Sequence, residues 1–363
     1  MSSEAAAAPS VARRVLPKLG ISLVLGALFG WLVHRGGVPL IPPGEAFARV
    51  RWWTVALYLV SLAATHFFRA SRWRFLIAPV KADIPFRDTI LLNWIGFFAI
   101  FALPLRLGEL ARPALTKIRH GVSISAGLGT VAVERVFDGM ITSACVVWAL
   151  VALPQLPTED ELARSLPYYG ALAVGAFVAA FAALALFLWQ RALAGRLVRG
   201  TVGRISPRMG HTVAAKIDGV AEGVRSIARP GLVLPFLLET FVYWGLNAAG
   251  MWLLGWGCGL DMSFGHAVAV MGILAIGILL PAGPGLFGNF QLAISTALKL
   301  YFATEIVGSQ GAVYVFLMYA TQALLITVTG IVPLYALQLR LRDLLRPPTS
   351  GERDSLLPGA TAS

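Results

Sequence analysis

Long apolar runs alternate along this chain with short connections rich in arginine. A helical membrane crossing takes about 20 predominantly apolar residues. Six stretches are candidates: Leu19–Val33, Trp53–Phe68, Ile124–Val151, Tyr168–Trp189, Leu232–Leu254 and Gly311–Leu337. Two further runs, Thr89–Pro104 and Ala267–Pro281, end in proline and fall short of a comfortable crossing. The pattern predicts an all-α polytopic membrane protein.

Charge placement sets the expected topology. Lys and Arg gather before Leu19, between Arg69 and Arg87, between Arg106 and Arg119, between Arg191 and Arg229, and after Arg340. The link after Val151 is acidic instead, with Glu159, Asp160 and Glu161. Cytoplasmic connections carry the excess of Lys and Arg. If Thr89–Pro104 crossed fully, the acidic link would fall inside and the most basic one outside. The conflict vanishes if Thr89–Pro104 dips in and returns through Arg106–His120, and if Ala267–Pro281 dips in from the other side and returns through Leu286–Tyr301. The expected architecture is about six full spans plus two re-entrant helical hairpins in an inverted repeat, a plan that places a binding site near the midplane. Residues 1–18 and 340–363 are expected as cytoplasmic tails flanking a transmembrane domain over 19–339, in a cell (inner) membrane.

Composition narrows the function classes. Hydrophobic residues make up 57 % of the chain and charged residues 13 %, so a separate catalytic domain has no room. The net charge of +12 sits in the connections and not on an aromatic-interleaved basic face, which argues against nucleic acid. Cys145 and Cys258 lie in apolar segments without metal-type spacing. Gly283, Gly285 and Gly288 formally spell G-x-G-x-x-G, but a dinucleotide site needs a preceding strand and a βαβ unit. No cofactor and no metal are expected. The stretch Gly210–Ala228 reads as an amphipathic helix on the cytoplasmic surface, and Gly26 and Gly30 permit close helix packing.

Candidate chemistry concentrates in one region. Arg106, Glu109 and Arg112 are spaced by three, so a helix puts them on one face. Two guanidiniums around one carboxylate beside a broken-helix tip suit a phosphate, whereas the bland reading is a solvated charge run. Glu134, Arg135 and Asp138 lie inside the next apolar run, where a charge needs a partner, a cavity or a function. An Arg135–Asp138 pair would leave Glu134 for Arg106 or Arg112; a purely structural ion network is the competing reading. Glu239, Tyr243 and Asn247 form a polar stripe at four-residue spacing, expected to line a cavity together with Gly285 and Gln291 of the second Pro/Gly tip.

The string Leu103–Pro113, followed by Glu134-Arg135-Val136-Phe137-Asp138, resembles the paired motif of the flippase-like transmembrane family. That family includes the membrane half of lysylphosphatidylglycerol synthases. The second tip resembles its later Pro/Gly motif, with Gln291 where an acidic residue is usual. The resemblance implies a stand-alone translocating domain without an aminoacyltransferase module. The expected function is movement of an anionic phospholipid or polyprenyl-phosphate-linked saccharide between leaflets, with Arg106, Glu109, Arg112, Glu134, Arg135 and Asp138 at the substrate and no catalytic residue. A partner synthase or a homo-oligomer fits the same picture. The rivals are a membrane-embedded transferase acting on a lipid carrier, which turnover in detergent would reveal, and a scaffold for a partner synthase, in which neutralising the cluster would cost stability alone.

Overall fold

A computed structural model describes residues 11–103, 108–156, 161–205, 218–224, 229–280 and 282–337; among them every regular element is helical. In chain order the main helices are α1 (Val11–Arg35), α2 (Trp52–Ser71), α3 (Trp73–Ile77), α4 (Phe86–Ala102), α5 (Ala111–His120) and α6 (Ile124–Ala152). They continue with α7 (Glu161–Ile205), α8 (Pro230–Gly257), α9 (Phe264–Gly277), α10 (Asn289–Leu298) and α11 (Thr304–Ala336), the last with a π-helical turn at Val307–Gly311. Ile124–Ala152, Glu161–Ala183, Pro230–Gly257 and Thr304–Ala336 are long and apolar enough to cross a membrane, and α1 and α9 hold shorter apolar stretches.

Two boundaries differ from expectation. Helix α1 begins at Val11, inside the expected tail, because Arg13, Arg14 and Lys18 are good helix formers and do not interrupt it. Helix α7 runs to Ile205, well beyond the apolar run, with no proline between Trp189 and Ile205 to interrupt it. Of the expected amphipathic stretch, residues 218–224 form a helix packed on the start of α6, with Ala221 and Val224 buried; its other residues, like the tail 340–363, lie outside the described residues.

Local signals fix the helix ends that matter. Leu103 stops α4 with ψ 140°, the extended conformation favoured before a proline. Pro113 is tolerated in α5 because it falls in the first turn, where N–H groups have no helical acceptor. Gly121, at φ 71°, ends α5, and Ser123 accepts the Ala126 N–H to start α6. Glycine is required where the chain doubles back: a Cβ on Gly108 would lie 2.0 Å from the carbonyl carbon of Ala99.

The packing exchanges partners between the two halves. The first arm, α4, packs along α11, the helix that follows the second hairpin; the second arm, α9, packs along α6, the helix that follows the first. Helices α2 and α8 form the broadest contact, and Ser61 Oγ donates to the Leu246 carbonyl across it at 2.7 Å. The second tip is seated on α1: Ser22 Oγ donates to the Ala282 carbonyl at 2.6 Å, and a Cβ on Gly283 would meet Gly26 Cα at 2.8 Å. Gly26 and Gly30 therefore receive a turn rather than a helix.

Candidate functional site

The site forms where α2 hands over to α3. Arg72, between Ser71 and Trp73, keeps right-handed helical φ/ψ and donates its N–H to the Phe68 carbonyl, so a residue expected in a basic loop continues the helical path and lies in the protein interior. Arg72 is 0 % exposed. Its two terminal nitrogens reach the two oxygens of Asp138, each at 2.7 Å. One of them also donates to Glu134 at 3.2 Å, and the other to Thr240 Oγ1 at 3.0 Å. The Tyr243 ring lies 4.8 Å from the guanidinium carbon.

Glu134 links this pair to the first hairpin. Its second oxygen accepts from Arg112 at 2.6 Å, and Arg112 donates again to Asn93 on α4. Asn93 in turn donates to the Thr89 carbonyl at 2.8 Å. Trp73 closes the set: its ring lies 5.1 Å from the Arg112 guanidinium carbon while its Nε1 donates to Thr130. Trp244 Nε1 donates to Asp138 at 3.2 Å. Two arginines and two carboxylates thus balance in the buried interior, with every carboxylate oxygen receiving a donor. Charged hydrogen bonds of this kind hold only when both partners remain. The network ties α2, α4, α5, α6 and α8 at one point.

The expected pairing was otherwise. Arg135 does not pair with Asp138; Arg72 takes that acid with a planar fork that Arg135, on the same helix, cannot present. Arg135 turns toward Glu109, with Nε 3.6 Å from the carboxylate and both side chains about a quarter exposed (24 % and 26 %). Arg106 lies outside the described residues.

A chamber of about 160 Å³ opens beside the network. Its charged lining residues are Arg69, Arg135 and Asp138, and its neutral polar ones include Thr65, His66, Thr142, Tyr243, Asn247 and Gln322. Apolar wall comes from α4, α9, α10 and α11, and Phe177 of α7 closes one side against Gly139. Both hairpin tips reach it. Phe101 at the end of α4 and Leu286 in the second tip share the wall, and a Cβ on Gly285 would lie 3.3 Å from the Phe101 ring. Gly285 and Leu286 have φ of 72° and 57°, and Tyr319 holds the turn by donating to the Gly285 carbonyl at 3.1 Å.

Of the expected cavity stripe, Tyr243 and Asn247 stand on the chamber wall. Glu239 does not: it pairs with Arg74 at 2.6 Å toward the end of α8 that α3 covers. Gly285 belongs to the tip contact and is not among the lining residues. Gln291 turns back to accept the Gly288 N–H at 2.8 Å, capping α10 and leaving the wall to Phe290.

Arg69, Arg72 and Asn93 are the residues that sequence reasoning passed over. Their signal was present: two arginines three apart directly after an apolar run, opposite a helix that carries Glu134 and Asp138 one turn apart. Counting them as loop charges hid it. Among the described residues no group of three or more His, Cys, Asp or Glu could hold a metal ion.

Comparison with known proteins gives one match. Residues 19–330 match the family described as lysylphosphatidylglycerol synthase TM region. No curated protein and no solved structure matches the chain.

Proposed function

The chain is a multi-pass membrane protein that belongs to the lysylphosphatidylglycerol synthase TM-region family, and from that premise we propose that it carries a phosphate-bearing lipid headgroup between the leaflets of a cell (inner) membrane. The observation that carries this reading is the chamber itself. It lies between the end of α4 and the second tip, is walled mostly by apolar side chains, and holds Arg69, which has no carboxylate partner among the described residues. A charge held in such a place marks a pathway or a ligand.

The reading includes a topology. Full spans are α1, α2, α6, α7, α8 and α11; α4–α5 and α9–α10 are re-entrant hairpins entering from opposite sides, with both termini cytoplasmic. The reciprocal packing of α4 on α11 and α9 on α6 supports it, as an inverted repeat would produce that exchange. Irregular backbone at the tips is then buried in protein and lines a cavity, as membrane depth requires.

The acids support transport over transfer. A general base needs a free lone pair aimed at its substrate, and the oxygens of Glu134 and Asp138 are engaged by Arg72, Arg112 and Trp244. The network is the frame that holds the chamber, and Arg69 is its working cation.

The test is scrambling of acyl-labelled phosphatidylglycerol in proteoliposomes. Wild type is expected to collapse the leaflet asymmetry faster than protein-free vesicles, and Arg69→Gln, folded to the same unfolding midpoint, is expected to lose at least tenfold in rate. Equal rates for wild type, variant and empty vesicles would remove the transport reading.

A further inference from the structure

The family is named for a lipid whose headgroup carries lysine, yet the chamber is poorly made for an ammonium group. Its one lining carboxylate, Asp138, is taken: both oxygens accept from Arg72, and one also accepts from Trp244. Glu134 is 0 % exposed and divided between Arg72 and Arg112. Two aromatic faces that could hold a cation already hold arginines, Phe97 under Arg69 at 4.2 Å and Tyr243 under Arg72 at 4.8 Å. An incoming ammonium would meet Arg69 with no free acid on the chamber wall to offset it, Arg135 being already matched by Glu109.

The unmet needs of the chamber wall run the other way. Three of its buried polar atoms have no hydrogen-bond partner among the described residues: Thr65 Oγ1, Arg69 Nε and Arg135 Nε, the last facing the Glu109 carboxylate at 3.6 Å. Arg69 Nε is an N–H group on a cation with no carboxylate opposite it among those residues, and leaving such a donor unsatisfied is costly. A phosphodiester supplies charge and acceptor oxygens together, and arginine is the side chain whose fork fits them. Asn247 and Gln322, half-buried on the same wall, suit hydroxyl groups, since an amide both donates and accepts.

We infer that this chamber selects a phosphodiester lipid whose headgroup carries hydroxyls and no amine, and rejects the aminoacylated lipid for which the family is named. The inference rests on the reading of the chamber as a headgroup site, but it concerns equilibrium selectivity and needs no transport to be tested. The discriminating group is Arg69, acting on the phosphate, with the saturation of Asp138 as the reason an amine gains nothing.

The experiment titrates the full chain in detergent micelles with short-chain phosphatidylglycerol, lysylphosphatidylglycerol and phosphatidylcholine, and with water-soluble glycerophosphoglycerol as competitor. Tryptophan emission reports binding, because Trp244 lines the chamber and Trp94 stacks on the lining residue His66. Phosphatidylglycerol is expected to bind at least tenfold more tightly than the lysyl lipid or phosphatidylcholine. Arg69→Gln is expected to bring the three within about threefold, while Arg69→Lys retains part of the preference and Arg74→Gln, outside the chamber, changes nothing. Equal or tighter binding of the lysyl lipid by wild type would overturn the inference, as would indifference to all three. Competition by glycerophosphoglycerol at the affinity of the lipid would overturn the lipid assignment and leave a site for soluble phosphodiesters. Selective binding without any scrambling would sink the transport reading and leave this one standing.

Discussion

Replacing Arg72 with methionine removes the central cation of the buried network and keeps an unbranched apolar stem. Arg72 makes two 2.7 Å bonds to Asp138, one of 3.2 Å to Glu134 and one of 3.0 Å to Thr240, all fully buried. Glu134 keeps Arg112 at 2.6 Å, so the acid left uncompensated is Asp138, with Trp244 as its remaining donor. Removing one partner of a buried pair costs about 3–5 kcal/mol, because the surviving charge stays desolvated and alone. Against a total stability of about 5–15 kcal/mol for a typical folded domain, that is a large share. The same physics predicts rescue. In Arg72→Met/Asp138→Leu the remaining Glu134–Arg112 pair is balanced, and the double variant should be at least ~2 kcal/mol more stable than the sum of the two single changes. The contrasting pair is Arg74–Glu239, where the arginine side chain is 41 % exposed, and Arg74→Met should cost no more than ~1 kcal/mol. Unfolding in mixed micelles, driven by a denaturing detergent and followed by tryptophan emission, reads all four variants; Trp73 and Trp244 both contact the network. A cost below ~1 kcal/mol for Arg72→Met, or strict additivity in the double variant, would refute the view that these charges act as one unit.

Other predictions follow from single contacts. Gly108→Ala places a Cβ 2.0 Å from the Ala99 carbonyl carbon, so the first tip cannot close; we expect on the order of 3 kcal/mol of destabilisation and loss of lipid binding in the same detergent titration. Gly139→Ala drives a methyl to 2.0 Å from the Phe177 ring, and adding Phe177→Ala should restore the unfolding midpoint; no recovery would mean that the ring is not the obstacle. Ser22→Ala leaves the Ala282 carbonyl without its buried 2.6 Å donor, a cost of about 1–3 kcal/mol that thermal unfolding would detect. Gln291→Leu should destabilise by ~1 kcal/mol through loss of the Gly288 cap, while Gln291→Glu, which keeps an acceptor at the start of α10, should be milder in the same assay.

Much of the architecture was legible in the chain. Long apolar runs have few alternatives to helix in a membrane, because every backbone polar group must be satisfied within its own segment. The short runs ending at Pro104 and Pro281 marked two helix ends, since proline ends a helix and forces the residue before it to extend. The charged cluster was legible as well, because charge inside an apolar run always requires a reason. What could not be read was its partnership. Asp138 meets a residue 66 positions away, and Thr240 meets that same residue across 168 positions. Spacing along one helix favours the neighbour, which is why Arg135 seemed the natural mate for Asp138; packing of α2 on α8 supplied Arg72 instead.

Burial divided look-alike residues into different roles. Arg69, Arg72 and Arg74 read alike in a loop count, yet one lines the chamber, one is locked in the interior and one pairs near the surface. Glu239, Tyr243 and Asn247 share a helical face, yet α3 covers the first and the chamber exposes the other two to its space. The sequence by itself determined the helices, their breaks and the existence of a charged core, because those follow from solvation of short segments. Only the tertiary structure decided which cations meet a carboxylate and which do not. That balance is set by contacts between helices distant in sequence, and the local pattern is blind to it.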